Sequence, residues 1–117
     1  MNYRHAFHAG NFADVIKHAI LSRIVGHLLN KDSPFRVIDT HAGSGRYDLT
    51  SDAAQRSPEW RDGIARLMAS ELPEPAQSLV EPYWEIVRGE NPDGGLTAYP
   101  GSPVIARRML RPEDKLA

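Results

Sequence analysis

Apolar residues recur every four positions over the first quarter of the chain. The series is Phe12, Ile16, Ile20, Ile24 and Leu28, flanked by Leu21, Val25 and Leu29. This spacing predicts an α-helix with one wide apolar stripe. Asn11 is the expected N-cap, with Asp14 three residues on as a weak capping box, and Asn30 is the expected C-cap. His18 falls off the stripe, on a face expected at the surface, and residues 1–11 are expected to form an extended, ordered arm.

A short β-prone run follows at residues 35–39 and ends in an acidic residue. The next eight residues, 40–47, are rich in glycine. A strand followed by such a turn is the opening of an α/β nucleotide-binding fold. A second, weaker strand is predicted at residues 96–99. Two strands do not bury the edges of an open parallel sheet, so the sheet is expected to be incomplete in this chain.

Three further helices are predicted from their caps and spacing. The first begins at Ser57, which precedes a proline and an acidic residue. The second covers residues 74–88 and is expected to bend at Pro82. The third is capped at Ser102 and continues to about Leu110.

Composition narrows the function classes. The 117 residues include no cysteine, which excludes a disulfide framework, a thiolate metal site and a thiol nucleophile. No apolar run approaches the roughly 20 residues of a membrane-spanning helix, and the first residues lack the apolar core of a secretory signal. A cytoplasmic enzyme or binding module without a membrane partner is expected.

The formal net charge of −1 is unevenly distributed. Residues 1–50 carry a net charge of +2, residues 51–100 carry −5, and residues 101–117 carry +2. An anionic partner is therefore expected to meet the two ends of the chain rather than its middle.

The strongest chemical signal is the loop after the first strand, where Asp39 is followed by Gly43 and Gly45. Glycine at alternate positions lets the backbone turn sharply and approach a ligand closely. The dinucleotide fingerprint requires a third glycine where Asp48 stands, which disfavours NAD. The order acid, two residues, Ala, Gly, small residue, Gly is more similar to the first motif of S-adenosylmethionine-dependent methyltransferases that modify amino groups. The alternative is a simple tight turn.

Two other features have a structural and a functional interpretation. His5 and His8 have a spacing compatible with metal ligation, but no carboxylate cluster accompanies them, so no metal is predicted. Ser102 at a helix N-terminus can help hold a carboxylate or phosphate. Its alternative role is to cap its own helix.

Three segments taken together resemble one family. They are YRHAFHAGNFADVIKH at residues 3–18, DTHAGSGRY at 39–47 and YPGSP at 99–103. The family is the bacterial 23S ribosomal RNA adenine-N6 methyltransferases, once labelled competence or DNA-utilisation proteins. The resemblance runs through the whole chain in order, and only residues 51–98 are loosely similar.

This resemblance implies an α/β fold, the N-terminal part of a Rossmann-like S-adenosylmethionine-dependent methyltransferase with an inserted small helical subdomain. Residues 1–50 would hold the arm, first helix, first strand and glycine loop. Residues 51–98 would be the helical insertion, and residues 99–117 would return to a truncated methyltransferase domain. The implied reaction is direct methyl transfer from S-adenosylmethionine to an adenine N6 amino group of unassembled or partly assembled 23S rRNA by a monomeric protein.

The resemblance also assigns individual residues. On the RNA side it places Tyr3, against the target nucleotide, and His5. On the cofactor side it places His18, His41 and Ser102 as contacts, and Lys17, Gly43 and Gly45 as residues that shape the same pocket.

One departure from the family pattern bears on activity. The catalytic Asp-Pro-Pro-Tyr motif is not in the sequence, and Asn91-Pro92-Asp93-Gly94 is no substitute. The catalytic residues are expected beyond Ala117, so the 117 residues alone are expected to be inactive. Two other functions stay open: a noncatalytic nucleic-acid-binding module linked to DNA uptake, and a phosphate-binding α/β protein that uses the glycine loop.

Overall fold

The computed structural model describes residues 3–117, which form a mixed α/β fold. Its helices are α1 (Phe12–Leu28), α2 (Asp52–Arg56), α3 (Ile64–Ala69), α4 (Ala76–Gly89) and α5 (Ser102–Met109). Its strands are β1 (Arg36–Val37), β2 (Arg46–Asp48), β3 (Ala98–Pro100) and β4 (Lys115–Leu116). The described part of the N-terminal arm is not simply extended, since His5–Phe7 form a turn of 3₁₀ helix.

The predicted start of α1 is confirmed. The Asn11 side chain accepts the backbone N–H of Asp14 at 2.9 Å and acts as the N-cap. The Asp14 carboxylate does not complete a capping box, because it accepts the N–H of Gly10 at 3.0 Å instead. The helix ends one residue earlier than predicted, with Leu29 rather than Asn30 as the C-cap.

The face that α1 buries is not the one carrying the apolar stripe. Phe12, Ile16, Ile20 and Ile24 are between 54 and 69% exposed. The buried residues of the helix are Asp14, His18, Ser22 and Val25. The expectation that His18 lies at the surface is therefore wrong, since the residue is 2% exposed.

Polar groups on this buried face are tolerated because each has a hydrogen-bond partner. Asp14 lies 2.6 Å from a ring nitrogen of His5, and the Ser22 hydroxyl donates to the carbonyl of Ala19 at 2.7 Å. His18 bonds to the hydroxyl of Tyr99 at 2.7 Å. A helix can thus turn a polar face inward when the surrounding elements supply matching donors and acceptors.

The first predicted strand is confirmed in position. β1 pairs in parallel with β4, with Arg36 opposite Lys115. The hydrogen bonds extend past the two paired residues, since Lys115 N–H donates to the Phe35 carbonyl and Asp39 N–H donates to the Ala117 carbonyl. The pairing therefore covers the predicted residues 35–39 and leaves Asp39 at the carboxyl end of the strand.

A second pair of strands places the glycine loop. β3 confirms the predicted second strand, although it begins two residues later and ends one residue later than predicted. β2 was not predicted, because it follows directly on the glycine turn. The two strands are antiparallel, with Tyr47 opposite Tyr99. Beyond this pairing, the N–H of Gly101 donates to the carbonyl of Gly45 at 2.5 Å. The loop is thereby fixed against the start of α5.

The middle of the chain is more interrupted than predicted. The short helix α2, capped by Ser51, was not predicted. The helix expected from Ser57 is divided into a 3₁₀ turn at Glu59–Arg61 and α3. The break falls where the chain packs against Gly10, whose carbonyl accepts the N–H of Ile64 at 2.8 Å. The predicted helices α4, which contains Pro82, and α5 are confirmed.

The hydrophobic core lies among α1, α4, α5 and the β2–β3 pair. Its buried residues are Ala9, Tyr47, Leu49, Ile64, Tyr83, Ile86, Val87, Tyr99 and Ile105. They come from residues 1–50, 51–98 and 99–117 alike. None of the helices described in residues 3–117 has the length and apolar character to cross a bilayer.

Candidate functional site

A cavity of about 420 Å³ opens where α1, the glycine loop and the start of α5 meet. It contains seven of the eight residues that the sequence comparison assigned to RNA or cofactor. These are Tyr3, His5, Lys17, His18, His41, Gly43 and Ser102, with Ala42, Tyr47 and Gly101 completing the wall. The eighth residue, Gly45, does not line the cavity and acts through its carbonyl, which holds Gly101.

A second cavity of about 280 Å³ adjoins the first at the end of β1. The residues common to both are Lys17, His18, His41 and Ser102. Of the predicted site residues, Tyr3, His5 and Gly43 line only the first cavity, and none lines only the second. Asp39, which was not among the predicted site residues, lines only the second cavity. The two residues assigned to RNA thus lie on the arm side of a wall of cofactor residues that both cavities share.

The glycine loop depends on a left-handed backbone at Gly43, where φ is +67°. A Cβ atom at this position would lie 2.4 Å from the Tyr47 hydroxyl oxygen. That hydroxyl accepts the N–H of Ser44 at 3.2 Å and so fastens the turn. Tyr47 was missed as a site residue, because only the folded loop brings its hydroxyl back over the glycine.

Ser102 does not cap α5. Gly101 is the N-cap, and the Ser102 hydroxyl donates to an oxygen of Asp39 at 2.5 Å. The other Asp39 oxygen accepts the N–H of His41 at 3.2 Å. Asp39 therefore links the strand end, the loop and α5, and it fixes the positions of two residues that the resemblance assigned to the cofactor.

His18 ends a buried chain of hydrogen bonds. Its Nδ1 lies 2.7 Å from the Tyr99 hydroxyl, which lies 2.7 Å from that of Tyr83. Tyr83 is fully buried and its hydroxyl has Tyr99 as its partner, so it must donate to Tyr99. Tyr99 then donates to Nδ1, which leaves the Nε2–H of His18 as the donor for a ligand. Burial raises the pKa of both tyrosines and keeps them protonated.

Burial also lowers the pKa of His18 from 6.5 to about 4. The ring is consequently neutral at pH 7. A neutral imidazole adds no repulsion toward a cationic ligand, which an imidazolium at the same position would do.

The free energy of unfolding is expected to fall as the pH drops from 6.5 to 4. The unfolded chain protonates this ring near pH 6.5, whereas the folded chain protonates it near pH 4. The stability due to the neutral ring is complete above pH 6.5 and is lost within that window, by up to about 3 kcal/mol. Urea denaturation at several pH values measures this loss.

His18→Asn should remove that part of the pH dependence, and His27→Asn is the matched control. His27 is exposed on the same helix, so its replacement should leave the pH dependence unchanged. An unaltered pH dependence in His18→Asn would contradict the assignment of this loss to His18.

The arm reaches the cavity through Tyr3 and His5. The Tyr3 hydroxyl lies 2.6 Å from His5 Nδ1, and the Tyr3 ring stacks on His8 with centroids 5.5 Å apart and planes 7° apart. Nε2 of His5 lies 2.6 Å from Asp14. Tyr3 remains 70% exposed, so one aromatic surface at the edge of the cavity is available for contact.

The chemistry of the cavity fits a nucleoside carrying a charged amino-acid group, as S-adenosylmethionine does. The first cavity, of about 420 Å³, lies within the range for small-ligand sites, about 300–1,000 Å³, and the adjoining one, of about 280 Å³, lies just below it. Apolar walls at Val37, Ile38 and Ala42 adjoin the Nε2–H donor of His18 and the Ser102 hydroxyl, whose oxygen is left to accept a hydrogen bond. Within residues 3–117, His, Asp and Glu side chains form no group of three that could hold a metal ion.

Residues 32–117 match the family model described as Ribosomal RNA large subunit methyltransferase D, RlmJ. Over 117 residues the chain is 49% identical to Ribosomal RNA large subunit methyltransferase J of Escherichia coli (strain K12), covering 99% of this chain and 40% of that protein. It is 40% identical to the protein of the same name from Haemophilus influenzae, covering 98% of this chain and 40% of the relative. The chain thus spans about two fifths of the length of these curated relatives.

A solved structure has a fold similar to that of this chain. The crystal structure of protein LPL1258 from Legionella pneumophila is 40% identical and superimposes with a TM-score of 0.80. The match covers 92% of this chain and 38% of that one.

Proposed function

This chain belongs to the family described as Ribosomal RNA large subunit methyltransferase D, RlmJ, and we propose from this premise that its cavity serves methylation of ribosomal RNA. The finer proposal is transfer of a methyl group from S-adenosylmethionine to an adenine N6 amino group of 23S rRNA. The fold proposed for this activity is Rossmann-like, with residues 51–98 as the helical insertion. The observation that carries the proposal is that the residues assigned to RNA and the residues assigned to the cofactor line the same cavity, the first of the two.

On the proposed cofactor side, the residues of this chain bind and orient. Ser102 and the His41 backbone are held by Asp39, and His18 offers its Nε2–H from a fixed, neutral ring. The sulfonium of S-adenosylmethionine supplies an activated methyl group, so the protein has mainly to position the reactants. The residues shared by the two cavities are the proposed contacts.

On the proposed RNA side, Tyr3 offers an exposed ring, and His5 lies beside it in the first cavity. Residues 1–50 and 101–117 each carry a net charge of +2 and are the proposed contacts to RNA phosphates. A target adenine must be unstacked or single-stranded to enter the cavity beside Tyr3. RNA affinity is therefore expected to fall as salt concentration rises.

Methyl transfer is tested with the chain extended to the length of its relatives. The extended protein is incubated with labelled S-adenosylmethionine and unmethylated 23S rRNA, and label is expected in N6-methyladenine. Label in another base would overturn the adenine-N6 proposal. RNA binding that does not depend on S-adenosylmethionine, without any transfer, would instead favour the noncatalytic module.

The 117 residues alone are expected to bind S-adenosylmethionine in a calorimetric titration but to transfer no label. They contain no Asp-Pro-Pro-Tyr segment to grip the adenine amine. Label above background from the 117 residues would overturn this part of the proposal.

A further inference from the structure

Asp14 is a buried carboxylate with more contacts than a helix start requires. Its side chain is 3% exposed. One oxygen accepts the Gly10 N–H at 3.0 Å and lies 2.6 Å from His5 Nε2, while the other lies 3.4 Å from Lys17 Nζ. The capping of α1 is already supplied by Asn11. The carboxylate therefore contacts two residues that line the cavity, His5 of the arm and Lys17 of α1.

The carboxylate selects one form of the His5 ring. A carboxylate only accepts hydrogen bonds, so the ring hydrogen facing Asp14 must be on Nε2. In the neutral ring Nδ1 then has no hydrogen and accepts the hydroxyl of Tyr3, 2.6 Å away. The hydroxyl hydrogen of Tyr3 is thereby committed to His5, and its oxygen lone pairs are left for a donor on a ligand.

This chain of bonds fixes a side chain that would otherwise be free. Tyr3 is 70% exposed, and its ring is held by stacking on His8 and by its bond to His5. His8 is in turn held by Glu59 at 2.8 Å. A binding group that is ordered in advance loses less conformational freedom when its ligand arrives.

We propose that Asp14 is a positioning residue, which acts through His5 to hold Tyr3 in place for the target nucleotide. This inference rests on the proposed function for the identity of the ligand, but its structural part does not. The selection of the His5 tautomer requires neither RNA nor S-adenosylmethionine.

The first test is nitrogen-15 NMR of labelled histidine in the 117-residue chain near pH 8. The wild-type His5 ring is expected to carry its hydrogen on Nε2, and a hydrogen on Nδ1 would overturn the proposal. Asp14→Ala is expected to give a mixture of tautomers. Asp14→Asn should keep the Nε2–H form, because the Gly10 N–H requires an oxygen at the same place.

The second test measures methylation by the extended protein. Asp14→Ala is expected to raise KM for RNA about tenfold, from the lost ordering of Tyr3, and to leave S-adenosylmethionine affinity within about twofold. Asp14→Asn should restore most of the RNA affinity. An equal loss of RNA and cofactor affinity would indicate a purely structural role and overturn the proposal.

A double-mutant cycle shows whether the effect passes through His5. In a His5→Ala background, Asp14→Ala should cause little further change in KM for RNA. A full additional loss would overturn the proposed route.

If Asp14→Ala does not fold, the wild-type tautomer and Asp14→Asn still decide the question. If the extended protein methylates no RNA while the tautomers behave as expected, the proposed function fails and the positioning of Tyr3 stands.

Discussion

Replacing Gly43 with alanine is expected to weaken S-adenosylmethionine binding by about 30-fold, because a left-handed backbone costs a non-glycine residue about 1–2 kcal/mol and the new Cβ also clashes. The backbone φ at this position is +67°, and the Cβ would lie 2.4 Å from the Tyr47 hydroxyl oxygen. The loop must move or Tyr47 must retreat, and either change displaces the cavity wall. Calorimetric titration of the 117-residue chain measures the effect.

Two further variants separate the clash from the backbone strain. In Gly43→Ala combined with Tyr47→Phe, the clashing oxygen is gone and the nearest ring carbon is 3.7 Å from the Cβ. The double variant should therefore bind more tightly than Gly43→Ala, despite losing the bond to Ser44. Gly94→Ala is the matched control, because Gly94 has φ +87° with no atom within 4 Å of its Cβ position and lies away from the cavity. It should leave cofactor affinity unchanged.

If Gly43→Ala bound S-adenosylmethionine as tightly as the unchanged chain does, the loop would not form the cofactor site. A loss in Gly94→Ala of the same size would point to a general loss of folding instead.

Periodicity predicted where α1 lies but not which face it buries. The repeat of apolar residues is a local property, whereas burial depends on what surrounds the helix. Asp14, His18 and Ser22 are buried because His5, Tyr99 and the Ala19 carbonyl satisfy them. Of these partners, Tyr99 is 81 residues away from His18 in the chain. No pattern within the helix contains that information.

The same distinction explains the strands and the candidate site. β1 was predictable because its β-prone residues precede a glycine turn, but the three residues of β2 gain strand geometry only by pairing with β3. The resemblance selected residues that line one cavity. It did not select Asp39, which links Ser102 to the backbone of His41. Such supporting contacts join residues far apart in the chain, so they become visible only in the folded protein.

Tyr3→Ala is expected to reduce methylation by the extended protein about tenfold or more, because an aromatic ring stacked on a base contributes about 1–3 kcal/mol. Tyr3 is 70% exposed at the edge of the first cavity and is assigned to the target nucleotide, so its loss should leave S-adenosylmethionine affinity nearly unchanged. Methylation rate at limiting RNA, measured beside calorimetric cofactor affinity, gives both values. Tyr3→Phe keeps the ring but loses the bond to His5, so its methylation rate should lie between that of the unchanged protein and that of Tyr3→Ala.

His41→Ala should show the opposite pattern, with cofactor affinity weakened first. His41 lies in the wall shared by both cavities, and its backbone is held by Asp39 at the end of the strand. Saturating S-adenosylmethionine should therefore recover much of the methylation lost in His41→Ala but none of that lost in Tyr3→Ala. If Tyr3→Ala abolished cofactor binding while His41→Ala left it intact, the two sides of the cavity would have to be exchanged, because the exposed ring would then belong to the cofactor side.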